Sequence, residues 1–115
     1  MPEASYSVKR TNPRFSFVAE AEMVGLRDGT RIVGRIAELS SLGCYVDAVE
    51  PVPSGTALRL RIRYGCSTCE VTGKVIYTHS GWGMGVLFGD VAAQQRSTID
   101  GWLSELARKS APSTA

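Results

Sequence analysis

Histidine occurs once in this chain, at His79, and cysteine three times. A single histidine leaves few ways to assemble a nucleophile, a base and a group to orient them. His79 also stands beside Ser80 and Gly81, where a solvated side chain at a turn is the ordinary outcome. Three cysteines, an odd number, do not make a disulfide framework and suit a reducing compartment. No apolar run approaches the roughly 20 residues of a membrane-spanning helix, and no leader-like pattern opens the chain. A phosphate-cradling loop is missing too, because Gly81 to Gly85 is followed by neither lysine nor helix. Charge of one sign is scarce: 13 Lys and Arg stand against 11 Asp and Glu, a net of +2 and no broad basic field for duplex binding. These absences argue against an enzyme, a disulfide-stapled scaffold, membrane insertion and a partner that is a nucleic-acid polymer. They place the chain in the cytoplasm.

What is present is an ordinary globular composition over 115 residues, 43% hydrophobic and 21% charged, enough for one small domain with one core. Thr56 to Tyr64 has the clearest period: Leu58, Leu60, Ile62 and Tyr64 fall on one face, and Arg59, Arg61 and Arg63 on the other. Strict alternation predicts a strand with one buried and one solvated face. Phe15 to Leu26 suggests a first strand, with Phe17, Ala19, Ala21 and Met23 sharing one parity. Arg27-Asp28-Gly29-Thr30 reads as a hairpin turn whose Asp-Gly pair supplies positive φ. Arg31 to Leu39 follows, with Ile32 and Ile36 opposite Val33 and with Gly34 as a candidate bulge or barrel bend. Leu42 to Ala48 puts Cys44, Val46 and Ala48 on one face, and Glu50 to Gly55, with two prolines, must be a loop. In Cys69 to His79, Val71, Gly73, Val75 and Tyr77 share a side; Ser80-Gly81 then turns into Trp82 to Phe88.

Beyond Asp90 the period becomes helical: Val91, Gln95, Ile99, Trp102, Leu103 and Leu106 form one stripe, with Asp90 as a candidate N-cap and Arg108 and Lys109 suited to the C-terminal end. The sum is a mainly β chain, six short antiparallel strands closing into a barrel and one C-terminal α-helix. The expected organisation is a loose terminus over 1–8, one domain over 9–109 (basic arm 9–14, barrel 15–89, helix 91–108) and a tail over 110–115.

Cys66-Ser67-Thr68-Cys69 has zinc-knuckle spacing, but a structural site needs four ligands and no second pair follows, so a hairpin tip with two thiols and no metal is expected. The Arg59, Arg61 and Arg63 stripe reads first as a solvated face, and otherwise as a surface for an acidic partner or phosphates.

Two stretches remain. Glu38-Leu39-Ser40-Ser41-Leu42-Gly43 lies between two strand patterns, and its serines and glycine mark a tight turn. Upstream, Arg10-Thr11-Asn12-Pro13-Arg14 places two guanidiniums on a segment in which Asn12, preceding proline, is pushed toward extended backbone. A basic arm facing a turn with a carboxylate and hydroxyls suits a small anionic ligand.

These residues resemble the PilZ domain family, in which RxxxR is followed some two dozen residues later by [DN]xSxxG. Arg10 and Arg14 match the first motif and Ser40 and Gly43 the second, with Glu38 where the family prefers Asp or Asn. Gly83 to Phe88 resembles the family's closing strand, and the likeness runs from Lys9 to Leu106. The resemblance implies a six-stranded barrel with a C-terminal helix. It also implies a non-catalytic receptor for cyclic di-GMP that changes conformation or surface on binding and then signals to a downstream protein, with Arg10, Arg14, Glu38, Ser40 and Gly43 as ligand-binding residues and no cofactor. The alternative the resemblance implies is an interaction scaffold, since some relatives keep the barrel without the ligand site and serve in motility or pilus assemblies.

Lys9 to Arg14 carries three positive charges and no apolar anchor, so ligand should order this arm over a preformed turn. Hydrogen exchange is the check. Amides of Lys9 to Phe15 should exchange fast without ligand and slow markedly with it, while Leu42 to Ala48 changes little. An arm already protected in the free protein would show the closing mechanism to be wrong.

Overall fold

Leu58, Leu60 and Ile62 are fully buried while Arg59, Arg61 and Arg63, which alternate with them, are exposed. That alternation holds one strand against a core, and five more strands complete the wall. The computed structural model describes residues 13–109. Its elements are β1 (Phe15–Gly25), β2 (Arg31–Leu39), β3 (Gly43–Asp47), β4 (Ala57–Tyr64), β5 (Ser67–His79), β6 (Gly83–Phe88) and α1 (Ala93–Lys109). All pairings are antiparallel, and the order β1-β2-β3-β6-β5-β4 closes on itself as a barrel. Closure needs two pairings between strands distant in sequence: β1 with β4, where Met23 faces Leu60, and β3 with β6, where Val46 faces Met84. A closed barrel leaves no strand edge for unwanted pairing.

The core is the inward parity of each strand, with Phe17, Met23, Ile36, Leu39, Leu58 and Leu60 all but inaccessible to solvent. The helix caps one end. Ile99 and Trp102 are its buried residues, and Trp102 meets Phe17 and Tyr64 at ring-centroid distances of 5.4 and 5.7 Å. Phe17 and Tyr64 stand 4.4 Å apart, so three rings seal the barrel mouth in tilted and edge-on contacts. Gln95 accepts a hydrogen bond at 2.8 Å from the Glu70 amide, and Arg96 donates at 2.9 Å to the Ser41 carbonyl. The second bond ties α1 to the turn between β2 and β3.

Several local expectations are corrected. The helix spans Ala93–Lys109 rather than 91–108, and the Ala92 carbonyl accepts its first backbone bond, from Arg96. Asp90 therefore lies two residues too early to be the N-cap. At the first hairpin only Gly29 has positive φ, at 74°; Asp28 instead accepts bonds from the Thr30 amide and hydroxyl, a side-chain-stabilised turn. Gly34 keeps regular register with Ala21, and a Cβ there would collide with the Asp47 carbonyl, so close approach explains it and not a bulge. The hairpin tip expected at Cys66 to Cys69 is shorter, since β5 begins at Ser67 and carries Cys69 into the core. Tyr77 lies on the outside, because an irregularity in register between Val75 and Tyr77 flips the parity. The expectations for residues 1–12 and 110–115 fall outside the described residues.

Leu60 is fully buried and lies opposite Met23 and Val71, so Leu60→Ala should cost about 2–5 kcal/mol in urea unfolding. Val33, 87% exposed on the outer wall, serves as the control. Val33→Ala should stay within about 0.5 kcal/mol of the parent, and equal losses at both positions would contradict the barrel parity.

Candidate functional site

Ser40 makes the turn between β2 and β3. Its amide donates to the Gly43 carbonyl at 2.9 Å, and its hydroxyl accepts from the amides of Leu42 and Gly43 at 3.3 and 3.2 Å. The same hydroxyl donates to the Gly43 carbonyl at 3.3 Å, and the residue is buried. Ser40 thus faces its own turn and shapes it. Gly43 opens β3 directly beside β6, where any Cβ would collide with the Val86 carbonyl. The backbone that approaches Gly43 closely is the neighbouring strand.

Glu38 sits where the β2–β3 register shifts, between Ile36 and Glu38, an irregularity that re-aims side chains at a sheet's rim. Its carboxylate lies 4.0 Å from the Arg14 guanidinium, with the two side chains 47% and 66% exposed. So long and exposed an ion pair contributes at most about 1 kcal/mol and opens readily. Arg14 immediately precedes β1, whose pairing with β2 brings it to Glu38; Phe15 lies opposite Leu39 and Ser16 opposite Glu38. Four of the five expected site residues are therefore gathered at one rim, Arg14 and Glu38 as available charges and Ser40 and Gly43 as the turn beneath them. Arg10 lies outside the described residues.

Beside this rim runs a groove of about 160 Å³, lined by Arg14, Glu38, Tyr45, Ile76, Tyr77 and Leu87 among others. Pockets that enclose a drug-sized ligand hold roughly 300–1,000 Å³, so a nucleotide-sized ligand would lie across this shelf and project from it. The rings of Tyr45 and Tyr77 are 6.2 Å apart and 29° from parallel. Both rest on β6 where it has no side chains. A Cβ on Gly85 would overlap the Tyr77 ring, and one on Gly83 would come within 3 Å of Tyr45. His79 extends the aromatic group, 5.2 Å from the Tyr77 ring, with Nδ1 3.3 Å from the Tyr45 hydroxyl. Loss of hydration, with Asp47, Tyr77 and Glu38 nearby, raises the Tyr45 phenol above its ordinary range and keeps it neutral at pH 7.

Sequence reasoning passed over Tyr45 and Tyr77. The available signal was Gly83-Met84-Gly85 on a strand whose register partners include both tyrosines. The thiols are placed elsewhere. Cys44 is buried and pushed up to about 12, and Cys69 to about 11, by loss of hydration above all. Both are inert thiols at neutral pH. Cys66 is exposed, and among the described residues no three His, Cys, Asp or Glu side chains converge as metal ligands.

Ser40→Ala leaves two turn amides without their acceptor, so it should destabilise the fold by roughly 1–3 kcal/mol in urea unfolding without altering charge. A change below about 0.5 kcal/mol would show that the hydroxyl does not hold the turn.

Comparison with solved structures finds the same barrel and helix elsewhere. The PilZ domain of YcgR from Escherichia coli, solved with c-di-GMP, superposes with a TM-score of 0.70 at 14% identity, over 89% of this chain and 94% of that one. The Bacillus subtilis inhibitor of motility MotI (DgrA) gives 0.70 at 19% identity over 92% of this chain, which spans only 53% of that protein. The PilZ domain of CeSA from a cellulose-synthesizing bacterium gives 0.65 at 16% identity, over 82% of this chain and 97% of that one. No curated protein matches the sequence. The PilZ domain profile itself matches residues 8–105, nearly the whole chain, and the protein belongs to the PilZ domain family.

Proposed function

We propose that this chain is a cyclic di-GMP receptor module, cytoplasmic and non-catalytic, which passes the signal to a downstream protein. One observation carries the reading: a guanidinium and a carboxylate, Arg14 and Glu38, loosely paired and exposed, share the rim of a groove floored by two tyrosines. A guanidinium fork takes guanine O6 and N7 together, or two phosphate oxygens, and the Glu38 carboxylate accepts from the guanine N1 and N2 donors. Tyr77 and Tyr45 offer faces on which a base stacks, worth about 1–3 kcal/mol per base. Arg10, four residues before Arg14, supplies the second guanidinium for the ligand's other phosphate or base. Ser40 and Gly43 serve the site through the turn, and the Arg14–Glu38 pair gives way to ligand on both sides. The E. coli domain solved with c-di-GMP supports the ligand assignment. No helix among the described residues is long and apolar enough to cross a membrane.

A second reading, a PilZ-fold interaction scaffold without ligand, is favoured by one feature. Glu38 replaces the family's Asp or Asn, and its longer arm pairs with Arg14 in the free protein. Titration calorimetry with cyclic di-GMP separates the two. On the receptor reading the parent binds, salt weakens binding, and Arg10→Ala or Arg14→Ala each lose at least about tenfold, the equivalent of one charge-assisted contact. Glu38→Asp should bind as well as the parent or better, and Glu38→Ala should lose roughly 1–3 kcal/mol. No heat from the parent would leave the scaffold reading standing, and alanine variants as tight as the parent would remove the arginines from the site.

A further inference from the structure

Three strands on the far side of the barrel carry a second surface. Their registers set outward-facing residues in three rows: Arg35–Glu20–Arg63, Val33–Glu22–Arg61 and Arg31–Val24–Arg59. Arginine occupies all four corners. Five arginines against two glutamates leave this patch at +3, while the whole chain carries only +2. The rest of the molecule is therefore at −1, and the entire positive surplus lies here. Ion pairs engage some of it: Arg63 reaches Glu20 at 2.9 Å and Arg61 reaches Glu70 at 3.5 Å. Arg31, Arg35 and Arg59 make no ion pair among the described residues. A shallow depression of about 340 Å³, floored by Ala21 and Gly34, opens between the charged side chains, and Val33, next to Gly34 in the chain and opposite Glu22, stands 87% exposed.

We propose that the outer face of β2, β1 and β4 docks an acidic segment of a partner protein, with carboxylates on the corner arginines and an apolar side chain over Val33 and the depression. Alternate residues on a strand stand about 6.7 Å apart and neighbouring strands about 4.8 Å, so the patch spans about 13 by 10 Å. An extended or helical acidic segment matches that spacing. A continuous phosphate backbone does not, because Glu20 and Glu22 run through the middle of the patch and would repel it. The barrel order places β1 three strands from β6 in either direction, so this face stays accessible when the groove on β3, β6 and β5 is filled. The surface does not rest on the cyclic di-GMP reading and is tested without the messenger.

The test is an amide-shift titration of the full chain at low salt. The probe is a synthetic acidic peptide of about ten residues, alternating glutamate with serine around one central leucine; the matched glutamine peptide and a short DNA duplex are the comparisons. Expected are shifts concentrated at 31–35 and 59–63, fading as salt rises. Arg35→Glu with Arg59→Glu should weaken peptide binding at least about tenfold in the folded protein, at some cost in melting temperature because position 35 stands opposite Glu20 and Asp47. Should the double reversal unfold, Arg59→Gln alone should weaken binding at least about threefold. The proposal fails if shifts are absent or gather at the groove, if the glutamine peptide binds as well, if the folded variant binds like the parent, or if duplex DNA binds this face more tightly.

Discussion

The ladder between β3 and β6 is the contact on which the rest depends. It joins strands forty residues apart, closes the barrel together with the β1–β4 pairing, and runs from Gly43 opposite Leu87 to Asp47 opposite Gly83. Backbone bonds extend it at both ends, from Phe88 to the Leu42 carbonyl and from Ala48 to the Trp82 carbonyl. The approach is so close that Gly43 admits no Cβ, and β6 in turn gives Tyr45 and Tyr77 a seat over Gly83 and Gly85. Loop-closure entropy opposes such a long-range pairing, and burial of Val46, Met84 and Val86 offsets it. Fold and groove are thus consequences of one pairing.

Charge is arranged by the same topology. Among the described residues the groove rim carries one cation and one carboxylate in a weak pair above an apolar floor, which suits a ligand with both base edges and phosphates. The opposite wall collects arginine at the corners of a three-strand patch. The six-stranded barrel separates these two surfaces by three strands. The helix links the turn to the barrel mouth: Arg96 holds the Ser41 carbonyl, and Trp102 packs on Phe17 and Tyr64. Any ligand that shifts the turn therefore works against a bond anchored in α1.

Much of the fold could be read from the order of residues because local chemistry decides it. Alternation in Leu58 to Ile62 sets β4, because a slip by one residue would bury three arginines. The stripe through Ile99 and Trp102 sets the covering face of α1, and the prolines at 51 and 53 end pairing between β3 and β4. Arg10, Arg14, Glu38, Ser40 and Gly43 were recognisable as a set through the likeness of their two motifs to those of the PilZ family. Tertiary structure decided which of them faces outward. Ser40 turned inward because its hydroxyl satisfies amides that the turn would otherwise strand, and Gly43 answers to β6. Tyr77 looked like a core residue, and only the register shift after Val75, a property of two strands together, puts it in the groove. Pairwise alternation is written along one strand, whereas a bulge, a bare glycine beneath a ring, and a nine-residue charge pattern exist only once strands are laid side by side.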